Sequence, residues 1–183
     1  MSWKERSEPG GGSLDYEFPR LYVEGEESRE YSIVDKARRV YLIESSRPTV
    51  PTKAYGLVPY ESGWNLAVDP VRATITRGIL VVVPWSNWKG LLLEEGTRVK
   101  ILEVRGVQPV LVAREGDNIR EGEVIAYVLT GKGETRTVRS TTSGLIAYIA
   151  WSRVEEERYS IIVASPEEVL ELRPAGRAPQ ARA

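Results

Sequence analysis

Lys132 is the side chain whose type and setting come closest to a chemical function. It lies between two glycines, in Gly131-Lys132-Gly133, and glycine frees the backbone for a tight turn. Such a turn presents the amine to solvent and lets a partner approach the backbone closely. The same pattern is also ordinary turn chemistry with a solvated lysine, and the sequence leaves both interpretations open.

Trp85 and Trp88 form a second candidate, with Ser86-Asn87 between them. Two indoles around a small polar turn could form a stacking platform for a ligand, a partner or a base. Tryptophan is also highly buried on average, so core or inter-domain packing is the alternative.

Arg136 and Arg139 continue the positive charge of Lys132 along the chain. Such charge could bind a phosphate or nucleic acid. However, a spacing of three residues puts the two arginines on opposite faces of a strand, and Glu134 compensates part of their charge. We therefore expect a solvated strand face and no nucleic-acid site.

The chain contains no histidine and no cysteine. Their absence excludes imidazole acid–base catalysis, thiolate nucleophiles, disulfides and zinc-finger sites. The remaining candidates for catalysis are Asp, Glu, Lys, Arg, Tyr and Ser, and no constellation of them stands out. The run Glu155-Glu156-Glu157 is expected to solvate a turn. We therefore predict no catalytic residue and no metal site. The sequence favours a protein that is not an enzyme, and a stand-alone enzyme with a cleft of Asp, Glu or Lys stays open as a third alternative.

The composition is that of a globular protein. The 183 residues are 42% hydrophobic and 28% charged, which suits one ordinary domain or two small ones. The formal net charge of -1 gives no general attraction to nucleic acid or anionic lipid. No apolar stretch is long enough for a membrane span, and the first residues lack the apolar core of a signal peptide. We expect a soluble, cytoplasmic protein.

A short turn bracketed by Gly116 and Gly122 organises the second half of the chain. Gly116 is predicted to take a positive φ where the chain reverses, and Asp117 to hydrogen-bond the backbone two residues on. Ile119 is the one apolar side chain inside the turn, so it is predicted to enter the core. A strand rich in β-formers follows at 124–128.

This region resembles the biotinyl/lipoyl-carrier domain, a barrel-sandwich hybrid in which two similar half-motifs form a flattened β-barrel. The likeness covers about 99–163 and is carried by Gly106, Val112, Gly116, Asp117, Ile119, Gly122, Val128 and Gly144. In that family a lysine on the exposed hairpin between the half-motifs receives biotin or lipoate. The resemblance places Lys132 at that position.

Two features depart from the carrier family. Glycines replace the methionines or the acidic residue that accompany the family's lysine, and the second half-motif lacks the Gly-Asp turn. Attachment of biotin or lipoate to Lys132 is therefore the alternative hypothesis, and a scaffold without a cofactor is the leading one.

The chain divides into five predicted segments. These are a disordered tail at 1–13, a β-rich domain at 14–95, a barrel-sandwich hybrid at 96–164, a short helix at 165–172 and a second disordered tail at 173–183.

Individual elements within these segments have clear signals. Ile79–Val83 is a continuous apolar run and predicts a fully buried strand, whereas Arg98–Val104 alternates and predicts a half-buried one. Ser165 and Glu168 form a capping box with Pro166 at the first helical position, which predicts the C-terminal helix. No convincing helical periodicity precedes residue 95.

The whole chain also resembles a family of small archaeal proteins, described only as a domain of unknown function, that contain the same module. We predict a mainly β, non-enzymatic module that binds a protein partner. The turns at Gly116-Asp117 and Lys132 would offer its recognition surfaces, and Trp85 and Trp88 an aromatic anchor. The alternative is a carrier subunit modified on Lys132. The sequence defines neither the partner nor the oligomeric state.

Overall fold

A computed structural model describes residues 18–49, 52–154 and 156–176, and these form a mainly β protein. The first eight strands are β1 (Arg20–Glu24), β2 (Tyr31–Asp35), β3 (Val40–Glu44), β4 (Ala54–Val58), β5 (Val68–Asp69), β6 (Thr74–Ile75), β7 (Ile79–Val83) and β8 (Lys89–Leu93). The remaining strands are β9 (Lys100–Gly106), β10 (Gln108–Leu111), β11 (Asn118–Ile119), β12 (Val124–Leu129), β13 (Thr135–Arg139), β14 (Gly144–Val154), β15 (Glu156–Ala164) and β16 (Leu170–Pro174).

Seven strands close into a barrel in the order β1-β4-β2-β3-β16-β8-β7. All neighbours are antiparallel except β16 and β3, which are parallel. One buried cluster draws on six of these strands: Tyr22, Tyr41, Tyr55, Leu80, Val82, Leu92 and Leu172. Because side chains alternate along a strand, the intervening residues face away from this cluster.

The opposite faces of β1, β7 and β8 pack against the second half of the molecule. Leu21, Val81 and Leu91 share one core cluster with Tyr148 and Ile162. Burial on both faces explains why every residue of β7 is buried, and the predicted buried strand at 79–83 is confirmed.

The second half contains two small sheets with a core between them. One has the order β11-β14-β15-β9 and the other β10-β12-β13. The core between them is Leu102, Val104, Ile119, Ile125, Ala126, Val128, Ile146, Ile149, Ile161 and Val163. The predicted strands in this region are present, with β9 alternating between exposed and buried positions, and Ile119 lies in the core as expected.

The predicted C-terminal helix at 165–172 is wrong. Pro166–Glu168 form a single 3₁₀ turn, and Leu170–Pro174 are strand β16. Ser165 Oγ donates a hydrogen bond to Glu167 Oε2 at 2.6 Å and makes no capping bond to the turn. Pairing with β8 and β3 closes the barrel and outweighs a weak local helix signal.

The segment boundaries also differ at the C-terminus. The barrel combines residues 20–93 with 170–174, so β16 brings part of the predicted tail at 173–183 into a strand. The tail predicted at 1–13 lies outside the described residues, as do positions 177–183. One short helix that the sequence did not predict, α1 (Gly63–Ala67), follows a 3₁₀ turn at Tyr60–Ser62.

Candidate functional site

Lys132 lies at the tip of the hairpin that joins β12 to β13. The turn is closed by Thr130, whose N–H donates to Glu134 O at 2.8 Å and whose carbonyl accepts from Gly133 N at 2.9 Å. The Lys132 side chain is exposed, and no carboxylate among the described residues lies within ion-pair distance of its amine. The hairpin therefore presents a free amine to solvent.

A groove of about 550 Å³ lies beside this hairpin, between β13 and the end of β9. Its lining includes Arg105, Arg136 and Arg139, and Glu156 is the one carboxylate among the lining residues that the structure describes. Arg105 Nε is 3.8 Å from Glu156 Oε1, and Arg139 donates to the Gly122 carbonyl at 2.8 Å. Arg136 and Arg139 both line the groove despite their spacing of three, because β13 is a sheet edge and residues from both faces border it.

Strand β13 is an exposed edge of the three-stranded sheet. In the part of the chain that the structure describes, it pairs only with β12. Four of its five residues are exposed, and Val138 alone packs on the core. An edge strand presents unpaired N–H and C=O groups on its open side, so β13 can accept a further strand.

The outer face of the same sheet carries an apolar row. Val110 and Tyr127 are cross-strand neighbours and are 42% and 44% exposed, and Val112, just past the end of β10, is 56% exposed. The outer face of an antiparallel sheet is commonly polar. Exposed apolar side chains grouped in this way favour a contact surface over a solvated one.

Both tryptophans of the predicted aromatic anchor make packing contacts and hydrogen bonds within the protein. Trp85 is 37% exposed, its indole N–H donates to the Glu115 carbonyl at 3.1 Å, and the Arg114 guanidinium lies 5.2 Å from its ring centre. Trp88 packs against the barrel cluster, and its carbonyl accepts from Tyr41 Oη at 2.5 Å. This arrangement matches the packing alternative of the sequence analysis, although part of Trp85 remains accessible.

The loop between β7 and β8 also holds two non-glycine residues in the left-handed region. Asn87 has a φ of 52° and Trp88 a φ of 58°. A bulky side chain rarely adopts this conformation, which costs of order 1–2 kcal/mol. The contacts of Trp88 with the barrel offset this strain.

The turn at Gly116 has the predicted backbone but a different side-chain bond. Gly116 has a φ of 90°, and its N–H donates to Ile146 O at 2.8 Å. Asp117 Oδ2 accepts from the N–H of Arg114, three residues earlier, at 2.9 Å, and not from the predicted residue two positions on. These bonds tie the turn to β14 and make it rigid.

A buried acidic group that the sequence does not indicate lies next to this turn. Glu115 is 6% exposed, and Tyr60 Oη donates to its Oε1 at 2.5 Å. Tyr148 Oη donates to the Tyr60 carbonyl at 2.7 Å, and the two rings meet edge to face with centroids 5.1 Å apart. We call Tyr60, Glu115 and Tyr148 the junction cluster, because it joins the turn after β4 to the second half.

The junction cluster has perturbed acidities. Burial raises the pKa of Glu115, although the hydrogen bond from Tyr60 acts in the opposite direction. Burial also raises the pKa of Tyr60 well above its ordinary value. The hydrogen bonds of the junction cluster connect two parts of the fold. None of its three residues lines the groove at β13, so a molecule bound in that groove would not contact them.

A glutamate before a Gly-Asp turn is ordinary in sequence, and its partner Tyr60 is 55 residues away. No local signal could have paired them. The exposed apolar row could have been found, since Val110 and Tyr127 occupy positions of their strands where a polar residue is expected.

The described residues contain no group of three acidic side chains that could hold a metal ion. Their helices are all too short or too polar to cross a membrane.

Comparison with known proteins places the chain in a family. Residues 16–167 match the family described as uncharacterized protein conserved in archaea, DUF2118. No curated protein matches the chain. The match runs from before β1 to the turn before β16, and therefore includes both the barrel and the two small sheets. The chain thus belongs to the DUF2118 family of archaeal proteins.

Proposed function

We propose that this protein is a non-enzymatic module that binds another protein through the hairpin surface. We define the hairpin surface as strand β13, Lys132 at the hairpin tip, and the neighbouring groove with Arg105. The observation that carries the proposal is the exposed edge of β13, bordered by a groove with three arginines. An open edge and a groove beside it suit an extended peptide.

The charge of the hairpin surface favours an acidic partner segment. Four cationic side chains lie on it: Arg105, Lys132, Arg136 and Arg139. Of the carboxylates that the structure describes, two accompany them, Glu134 on the hairpin and Glu156 in the groove. An extended acidic segment could add to β13 by main-chain hydrogen bonds, while its carboxylates meet the arginines.

The apolar row supplies a second element of recognition. Val110 and Tyr127 lie on the outer face of the sheet of which β13 is the edge. Aromatic side chains are common anchors in interfaces. A partner that pairs with β13 would reach this face with an apolar side chain.

The strand order supports a biotinyl/lipoyl-like architecture for the second half. Its first and last long strands, β9 and β15, are neighbours, and the Lys132 hairpin projects from the other sheet.

We further propose that the protein acts in the cytoplasm. Its formal net charge of -1 gives no general attraction to nucleic acid. In the part of the chain that the structure describes, no helix is long and apolar enough to cross a membrane.

The test is capture of a partner from native archaeal extract, followed by hydrogen exchange on the purified complex. We expect slower exchange of the β13 amides in the complex. Arg136→Glu should reduce recovery of that partner about tenfold, equivalent to a loss of ~1.4 kcal/mol. Arg29→Glu, the same charge change at an exposed position on the barrel side, should not. Failure to recover a stoichiometric partner, or protection confined to other strands, would contradict the proposal.

A second candidate function is a carrier subunit with biotin or lipoate on Lys132. The observation that favours it is the exposed amine at the tip of a tight hairpin. The local geometry fits attachment, since no atom lies within 4 Å of a Cβ built at Gly131 or Gly133. The group would be joined by an amide between its carboxyl carbon and Lys132 Nζ, and would carry a substrate between active sites.

Intact mass of the natively expressed protein distinguishes the two functions. A carrier predicts a biotin- or lipoate-sized adduct that Lys132→Arg removes. The unmodified mass would end the carrier hypothesis and leave partner capture unaffected.

A further inference from the structure

A second groove lies at one end of the four-stranded sheet, where β15 ends and β9 and β14 begin. Its volume is about 570 Å³, which is within the range of small-molecule sites. We call it the end groove and define it by Arg98, Lys100, Arg120, Val163, Ser165 and Pro166. It shares no lining residue with the groove of the hairpin surface.

Three cationic side chains border the end groove. Lys100 is the first residue of β9 and Arg98 lies two residues before it, whereas Arg120 follows β11 on the other edge of the sheet. Lys100 Nζ is oriented by a hydrogen bond to Thr142 Oγ1 at 2.6 Å. Among the described residues of the lining, Glu168 is the one carboxylate.

The positive charge in the end groove is not neutralised by ion pairs. Among the described residues, no carboxylate lies within ion-pair distance of Arg98, Lys100 or Arg120, whereas ten other pairs form in the same set. In the part of the lining that the structure describes, three cations and one carboxylate leave two positive charges. Such a concentration in a chain with a net charge of -1 favours a dianionic ligand.

The floor of the groove is rigid. Val163 and Ala164 are fully buried, and Ile119 and Val99 nearly so, so these side chains present almost no surface to a ligand. Val163 pairs with Lys100 across the sheet, which places Lys100 beside this floor. Pro166 is an apolar residue of the lining and is exposed, so a ligand here could place its charged group on the cations and an apolar group against Pro166.

We propose that the end groove binds a small organic phosphate monoester. Two guanidinium groups and an ammonium group suit phosphate oxygens, since arginine binds them in a bidentate manner. The two excess positive charges match the charge of a monoester near neutral pH. The exposed ring of Pro166 in the lining favours a phosphate that is carried on a compact apolar group. This site is independent of the hairpin surface.

Phenyl phosphate is a suitable probe, with inorganic phosphate, benzoate and benzyl alcohol as comparisons. An ¹⁵N NMR titration of the full chain should show saturable shifts at the amides of Arg120, Ser143 and Val163. We expect a dissociation constant of roughly 1 mM or lower for phenyl phosphate. Binding of inorganic phosphate and of benzoate should be about tenfold weaker, and benzyl alcohol should not bind.

Variants test the role of the cations. Arg98→Ala and Arg120→Ala should each weaken phenyl phosphate binding about tenfold, the amount expected from loss of one charge-assisted contact of ~1.4 kcal/mol. Both side chains are exposed, so the NMR spectrum should stay that of the folded protein. Arg29→Ala, at an exposed position outside the groove, should bind as the wild type does.

Several results would overturn the proposal. Absence of a saturable shift at about 20 mM phenyl phosphate would exclude a useful site. Shifts confined to the hairpin surface would move the site elsewhere. Equal binding of inorganic phosphate would exclude a role for an apolar contact with Pro166, and equal binding of benzoate would exclude selectivity for phosphate.

Discussion

Tyr60 Oη donates a 2.5 Å hydrogen bond to Oε1 of the buried Glu115 and so connects the turn after β4 to the turn before β11. The Tyr60 carbonyl in turn accepts from Tyr148 Oη at 2.7 Å. A buried carboxyl group needs such partners, because an unpaired one loses its hydration without compensation. This bond holds the Gly116 turn in place against the barrel.

Tyr60→Phe should therefore destabilise the protein. The change leaves a buried carboxyl oxygen without its donor, and we expect the free energy of unfolding to fall by about 1–3 kcal/mol. Denaturant unfolding measures this difference. Tyr127→Phe removes the same hydroxyl from a tyrosine that is 44% exposed and should change stability by less than about 0.5 kcal/mol. Equal effects of the two changes would show that the junction bond contributes nothing.

Glu115→Gln should alter how stability depends on pH. Burial raises the pKa of Glu115, the charge of Asp117 acts in the same direction, and the hydrogen bonds from Tyr60 and the Ile149 N–H oppose them. A raised folded pKa means that the folded state prefers the protonated carboxyl group. The stabilisation that the protonated Glu115 carboxyl group contributes is complete below its pKa in the unfolded chain, about 4.3. This stabilisation is lost as the pH rises through the pKa of Glu115 in the folded protein.

Glutamine does not titrate, so the variant should lack this loss. We expect the stability of Glu115→Gln relative to wild type to increase from about pH 4 towards neutral pH. Unfolding curves at several pH values, with the exposed Glu121→Gln as control, measure it. A constant difference between the two proteins over that range would show that Glu115 titrates as in the unfolded chain.

Gly144→Ala should be strongly destabilising. Gly144 has a φ of 151°, and a Cβ there would lie 2.6 Å from the Ala164 carbonyl oxygen and 2.7 Å from Val163 Cγ1. The strain and the clash with backbone together predict a loss of about 2–4 kcal/mol. Gly131→Ala meets no atom within 4 Å and should be close to neutral. Thermal unfolding of both variants checks the contrast, which similar melting temperatures would contradict.

The parts of this fold that could be predicted are those whose signal is local. Ile79–Val83 is apolar at every position, which is the pattern of a strand that is buried on both faces. The positive φ of Gly116 follows from a tight turn that needs glycine. The position of Lys132 on an exposed hairpin follows from Gly-rich turn chemistry between two β-rich runs.

The parts that could not be predicted depend on contacts between distant residues. Glu115 and Tyr60 meet only because the barrel packs against β14, and neither residue has an unusual neighbour in sequence. The end groove likewise combines Arg98, Arg120 and Val163, which share a site only once β9, β11 and β15 form one sheet. The capping box of the C-terminal segment is visible locally and predicts a helix, whereas the open position in the barrel between β3 and β8 is visible only once the barrel has formed.

Leu172→Ala tests the closure of the barrel by β16. Leu172 is 2% exposed and packs with Tyr41, Leu80 and Leu92, so truncation should cost about 2–5 kcal/mol through lost burial and a cavity. Leu42→Ala on neighbouring β3, where the side chain is 42% exposed, should cost less than about 1 kcal/mol. Chemical denaturation compares the two variants. Because β16 separates β3 from β8, the weakened barrel should also expose strand edges and aggregate more readily. If Leu172→Ala were as stable as Leu42→Ala, the barrel would not depend on its last strand.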